Sequence, residues 1–162
     1  MPAKFDTKRI YELPILRHNT AAVKLIYQNA LGEELSEAFL KKAIEHNRML
    51  AKLVILDNIP VGCIYAHIEH IDESNAKSDA VLVVDFICVL TMYQQRGVGS
   101  FVLKNLVERA VKELHVKHIA AYARAGDASN AFFTKNGFKE SEECDHVFDD
   151  KSHKCVKMTK EL

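Results

Sequence analysis

Residues 81–114 constrain this chain more than any other stretch. Residues 81–90 are apolar at almost every position, which fits a central strand buried on both faces. The chain then passes through Q-Q-R-G-V-G-S, Gln94 to Ser100, into a helical pattern. From Gly97 to Leu114 the apolar residues Val98, Phe101, Val102, Leu106, Ala110, Val111 and Leu114 recur at helical spacing. A buried strand feeding a long amphipathic helix belongs to an α/β architecture.

The flanking segments extend that reading. Residues 9–13 predict a short first strand, stopped by Pro14. Asn19 or Thr20 can cap a helix through Val23, Leu25 and Ile26 that Gly32 ends, and Ser36 can cap a second through Phe39, Leu40, Ala43 and Ile44. After Asn47 the period changes. Residues 50–56 and 61–68 predict antiparallel strands joined by a tight Asp57-Asn58 turn, and residues 72–79 a polar loop. Residues 119–123 form another strand. Asp127 can cap a helix through Phe132 and Phe133 that Asn136-Gly137 ends, and residues 138–147 and 153–159 form a last hairpin. The order β-α-α-β-β-β-α-β-α-β-β gives an α/β fold with a mixed sheet. At 162 residues, one domain spanning 1–162 is expected.

Composition excludes several function classes. Lys plus Arg and Asp plus Glu balance at 22 each, so the chain lacks the basic excess of a general nucleic-acid binder. No apolar run approaches the roughly 20 residues of a membrane span. The start, MPAKFDTKRI, lacks the apolar core of a signal peptide. Cys63, Cys88, Cys144 and Cys155 are widely spaced with no C-x-x-C pair, so no disulfide framework is expected. A reducing cytoplasm, or the nucleus, is the simplest setting.

The loop at Gln94–Ser100 has the chemistry of an anion site. The first turn of a helix carries backbone N–H groups without internal acceptors, and its dipole adds partial positive charge. Gly97 and Gly99 let a phosphate approach the backbone, Arg96 adds a charge and Ser100 a hydroxyl. A pyrophosphate fits. There is no G-x-x-x-x-G-K-[ST], and the third glycine and acid of a dinucleotide fingerprint are missing.

Q-x-x-G-x-G (Gln94, Gly97, Gly99), followed some thirty residues later by F-F-T-K-N-G-F (Phe132 to Phe138), resembles the GNAT (GCN5-related N-acetyltransferase) superfamily. The element order is similar to that family's across nearly the whole chain. Within it, L-A-K-L-V-I-L-D-N-I-P-V-G-C-I-Y-A-H-I-E-H, Leu50 to His70, and the ending K-E-L resemble the catalytic subunit of NatE-type N-terminal acetyltransferases. V-V-D-F-I-C-V-L is also similar to the histone-type lysine acetyltransferases. The resemblance implies a GNAT fold with six to seven strands and about four helices, and acetyl-coenzyme A as cosubstrate without a metal. It implies a peptide or protein amino terminus as acceptor, and an auxiliary acetyltransferase subunit as a partner. Polyamine or aminosugar acceptors, and a degenerate acetyl-coenzyme A-binding partner subunit, are the alternatives. The cofactor residues it implies are Ile87, Cys88, Val89 and Leu90 on the strand, Gln94, Gln95, Arg96, Gly97, Val98, Gly99 and Ser100 in the loop, and Phe133.

Acetyl transfer from a thioester to an amine needs a proton acceptor, an oxyanion donor and a proton for the leaving thiolate. Where the resemblance implies a tyrosine and a histidine on the central strands, this chain has Val83 and Ala121. Where it implies the acid tyrosine, it has Phe133. Tyr122 is a substitute acid. Asp85, the only charge within residues 81–90, is the candidate general base; a structural carboxylate bound to backbone or to a neighbouring cation is the other reading. Tyr65 and His67 share a strand face and can line a cleft. His67 and His70 fall on opposite faces, so no metal site is expected. For the acceptor, Leu31, Glu33 and Glu34 follow the first helix, with Glu33 and Glu34 able to attract a cation, and Phe148 on the last hairpin can supply an apolar wall.

Overall fold

The strand and helix signals become seven strands and four α-helices in the computed structural model, which describes residues 6, 9–46, 49–71, 74, 79–126 and 128–162. In chain order they are β1 (Ile10–Pro14), α1 (Thr20–Leu31), α2 (Glu37–His46), β2 (Ala51–Leu56), β3 (Ile59–His70), β4 (Ala80–Val89), α3 (Val98–Leu114), β5 (His118–Arg124), α4 (Ser129–Lys135), β6 (Lys139–Phe148) and β7 (Lys151–Glu161). The strands follow the sheet order β1-β2-β3-β4-β5-β7-β6. β4 and β5 run parallel, while β1–β2, β2–β3, β5–β7 and β6–β7 pair antiparallel. This is the expected mixed α/β sheet. The chain forms two compact units, residues 1–65 with 87–106 and residues 66–86 with 107–162.

In the first unit, α1 buries Val23, Ile26 and Tyr27 and stops at Gly32, which takes φ +72° and donates its N–H to Gln28 O. Ser36 caps α2 through its Oγ, which accepts from the Phe39 N–H at 3.1 Å. The cap expected for α1 is different. A 3₁₀ turn, Arg17–Asn19, precedes that helix, and Asn19 holds the strand exit instead: its Oδ1 accepts from Leu16 N–H at 2.8 Å and its Nδ2 donates to Pro14 O at 3.0 Å. Thr20 is already helical and donates to Arg17 O.

β2 and β3 join through Asp57 and Asn58, both at positive φ (50° and 65°), the geometry of a type I′ hairpin turn. Their register shifts after Val54, so that Val61 is an extra residue in β3. The Val61 carbonyl thereby accepts from Leu90 N–H at 2.8 Å. The backbones come so close that a Cβ on Gly62 would sit 2.7 Å from Cys88 O. Glycine is therefore required by packing at this position.

In the second unit, Ala80–Phe86 of β4 lies beside β5, and α4 ends in a glycine-terminated cap. Gly137, at φ +90°, donates to Thr134 O and Phe138 donates to Phe133 O, while the Phe133 and Phe138 rings touch at 5.2 Å. The last hairpin is tighter than the sequence spacing suggests. β6 and β7 run up to Phe148 and Lys151, leaving only Asp149 and Asp150 as the turn, both at positive φ. Asp127, the expected α4 cap, and most of the 72–79 loop lie outside the described residues.

Candidate active site

The loop after β4 is built from backbone. A 3₁₀ turn at Thr91–Tyr93 redirects the chain, and Asn29 of α1 accepts from both the N–H and the hydroxyl of Thr91. Gln94 Nε2 donates to Val89 O at 2.9 Å, tying the loop to the strand end. Gln95 then takes φ +61° and Gly97 φ +89°. Left-handed residues alternating with others turn successive amide N–H groups toward one concavity, which suits an anion. The first helical bond of α3 is Phe101 N–H to Gly97 O, so the amides of Val98 and Gly99 precede the helix's own bonding. The chemistry of this donor set fits a pyrophosphate, with Arg96 half-buried in the same loop.

The second unit gathers ionisable side chains. The parallel β4–β5 ladder runs from Val81↔His118 to Val84↔Ala121 and ends there; Asp85 and Tyr122 are the next residues on the two strands. Asp85 keeps only 5% of its side chain exposed, and its Oδ2 lies 2.6 Å from His67 Nδ1 on β3. The other ring nitrogen of His67, Nε2, lies 2.8 Å from Glu69 Oε1. The Asp85 hydrogen bond raises the His67 pKa to about 9, against the opposing effect of burial and with added help from the Asp85 and Glu69 charges. His67 is therefore an imidazolium at neutral pH, clamped between two carboxylates.

Next to this ion pair stands an aromatic stack. The Tyr122 and His146 rings lie parallel, with centroids 3.8 Å apart. Phe148 continues the stack from His146 at 6.5 Å and meets Phe86 edge-on at 5.6 Å. Burial, followed by the charges of Glu69, Cys144, Asp85 and Glu142, holds the Tyr122 phenol above its ordinary pKa. His146 moves the other way: burial lowers its pKa, Asp85 opposes this, and His67, Arg124 and His153 reinforce it. Its Nε2 is buried and has no hydrogen-bond partner among the described residues.

The sequence candidates thus separate. Asp85, Tyr122, His67 and Phe148 fall in the second unit, where Asp85 has the neighbouring cation of its structural reading, His67. Leu31, Glu33, Glu34 and Tyr65 belong to the first unit, where Tyr65 is buried edge-on against Phe39 at 4.7 Å. The loop residues Gln94 to Ser100 and the strand residues Ile87 to Val89 also lie there, with Cys88 and Val98 buried. Cys63 is buried too; its hydrogen bond to Cys88 and its burial push its thiol well above the ordinary range. Phe133 is buried against Phe132 and Phe138, so its ring serves the core of the second unit. The sequence reading missed His146 and the clamp role of Glu69. His146 and Phe148 are two residues apart on one strand, so strand alternation was the signal for the first.

A β-strand, an amide-lined loop and a helix, followed by a parallel strand, make up the architecture of the acyl-CoA N-acyltransferases. A family model described as the acetyltransferase (GNAT) family matches residues 20–138, and the chain belongs to that family. Among solved structures, Arabidopsis thaliana Naa50 in complex with the bisubstrate analogue CoA-Ac-MVNAL superposes with a TM-score of 0.75 at 18% identity, covering 95% of this chain and 99% of that one. Arabidopsis thaliana NAA60 in complex with a bisubstrate analogue gives 0.78 at 10% identity over 94% and 99%. The ribosomal-protein-S18-alanine N-acetyltransferase from Escherichia coli gives 0.71 at 18% over 94% and 93%. At these identities the likeness is one of fold. No curated protein sequence matches the chain.

Proposed function

We propose that the protein is an acetyl-coenzyme A-dependent N-acetyltransferase that acetylates the amino terminus of a peptide or protein directly, in a ternary complex. The observation that carries the donor assignment is the loop with Gln95 and Gly97 in left-handed geometry at the start of the 17-residue helix α3. Its convergent amides and Arg96 would hold the pyrophosphate, and the backbone of Ile87–Leu90 would align the pantetheine arm. The acceptor assignment draws on three solved structures of the same fold, two of them bound to bisubstrate analogues. It also draws on chemistry: an ammonium group is attracted to carboxylates such as those of Glu33 and Glu34 after α1. Tyr122, kept protonated, would give its proton to the leaving thiolate, and Asp85 would hold His67 as a fixed cation in the proton-handling cluster. Four free cysteines favour a reducing compartment, the cytoplasm in this reading. No described helix is long and apolar enough to cross a membrane.

A second reading has its own observation. Val83 and Ala121, buried and apolar, occupy the positions where the family likeness implies a tyrosine and a histidine, which suits a subunit that binds acetyl-coenzyme A without turning it over. The test is a thermal shift with acetyl-coenzyme A followed by turnover on peptides, polyamines and aminosugars. A rise in Tm and acetylated peptide termini are expected. No shift would overturn the donor assignment, and turnover on small amines alone would overturn the acceptor. Binding without any turnover would establish the partner-subunit reading.

A further inference from the structure

Cys144 and Cys155 face each other across the last hairpin, and both are thiols. They are Cα partners in the β6–β7 ladder, so their side chains project from the same sheet face. The ladder position is a hydrogen-bonded one. Ala125 N–H donates to Lys154 O at 3.0 Å, which extends the β5–β7 pairing and turns the Lys154 backbone toward β5. Backbone direction alternates along a strand, so Cys155 turns its own N–H and C=O toward β6. In such a pair the Cα atoms lie about 5.5 Å apart, inside the roughly 4.4–6.8 Å that a disulfide spans. The Cβ atoms, up to about 5.5 Å apart as well, must close to about 4 Å. β6 can supply that movement because it ends the sheet and is held by β7 on one side.

Exposure distinguishes this pair from the other two cysteines. Cys63 and Cys88 also neighbour one another, yet they are 0% and 2% exposed. Cys144 is half-buried and within reach of a small reagent, while Cys155 is 4% exposed. We propose that Cys144 and Cys155 are a redox-modification site that closes to a reversible disulfide, with a low-molecular-weight disulfide such as oxidised glutathione as the oxidant.

The Cys144 thiolate attacks one sulfur of the oxidant. A mixed disulfide forms on Cys144, the oxidant's S–S bond breaks, and one small thiol leaves with the proton that Cys144 gave up. The Cys155 thiolate then attacks the Cys144 sulfur and expels the second small thiol, which takes the Cys155 proton. Two protein thiols are oxidised, and one small disulfide is reduced to two thiols. The second step is intramolecular, so the effective concentration of Cys155 favours closure over a lasting mixed disulfide. The approach required of a hydrogen-bonded pair strains the new bond, and strained disulfides are the easily reduced ones. The site therefore stays as two thiols in a reducing setting and closes when the disulfide pool rises. This chemistry needs neither acetyl-coenzyme A nor turnover.

The test exposes the folded protein to oxidised glutathione, blocks the remaining thiols with an alkylating reagent and maps tryptic peptides by mass spectrometry. Cleavage after Lys151 and Lys154 puts the two cysteines on separate peptides, so a linked peptide reports the bond directly. The expected result is a Cys144–Cys155 linked peptide, with two of the four thiols lost, that disappears in excess reduced glutathione. Cys155→Ser should stop at a mixed disulfide on Cys144, and Cys144→Ser should leave Cys155 a thiol. Circular dichroism checks the fold of each variant, and the wild-type peptide map decides without them. A mixed disulfide on wild-type Cys144 with no linked peptide, four thiols that survive the oxidant, or a link that persists in excess reduced glutathione would each overturn the proposal.

Discussion

The loop in the first unit and the cluster in the second are built by opposite means. At Gln94–Ser100 the chemistry comes from backbone amides whose direction follows from two left-handed residues and a helix start. At His67, Asp85, Tyr122 and His146 it comes from side chains on four strands separated by up to 79 residues in sequence, read from the spacing of His67 and His146. A backbone site tolerates changes in its side chains but not in its φ angles. A side-chain site depends on partners that burial has made unable to find alternatives.

Substitutions can break this contrast. The largest effect is expected from Tyr122→Phe, which retains the stack on His146 but removes the proposed proton donor. kcat should fall about 100-fold, ~2.7 kcal/mol of transition-state stabilisation, with acetyl-coenzyme A binding unchanged. Steady-state kinetics beside a coenzyme A thermal shift would check it, and an unchanged kcat would remove Tyr122 from the reaction. Gly62→Ala comes next, because its Cβ would meet Cys88 O at 2.7 Å. Chemical denaturation should show a loss of about 2 kcal/mol.

Gly97→Ala tests the backbone side. At φ +89° a Cβ costs roughly 1–2 kcal/mol, which should weaken acetyl-coenzyme A about tenfold in calorimetry while turnover at saturating donor stays near wild type. An undiminished affinity would mean that the loop does not set the amide directions.

The smallest effect concerns pH. His67 is raised from 6.5 to about 9 in the folded state, so its pairing stabilises the fold fully below about pH 6.5 and that contribution is lost as pH rises through about 9. Asp85→Asn should lower stability by about 1 kcal/mol at pH 6, given partial solvent screening at His67, and should flatten stability between pH 6.5 and 9. Denaturant titrations of both proteins across that range would show the two curves converging with pH. Parallel curves would mean that the pair carries no net stabilisation.

Much of the fold was readable because its signals are local. N-G-F after an apolar helical stretch reads as a helix stop since glycine alone enters the left-handed region without strain, and Gly137 and Phe138 close α4 in that way. The Asp57-Asn58 turn was equally plain. The α1 cap was not, because Asn19 could serve either the helix or the preceding turn, and the contacts to Leu16 and Pro14 decided it. The register shift at Val61 and the tight Asp149-Asp150 turn were also hidden, since each depends on what the neighbouring strand presents.

The sequence by itself determined the element order, the glycine-dependent loop and the family, because strand and helix periods, turn residues and the G-x-G spacing act within a few residues of one another. Only the tertiary structure decided that Asp85 meets His67, that Glu69 closes the clamp, and that His146 lies on Tyr122 with a buried nitrogen. These are long-range pairings, and their protonation depends on burial and neighbouring charges that do not exist until the strands are assembled.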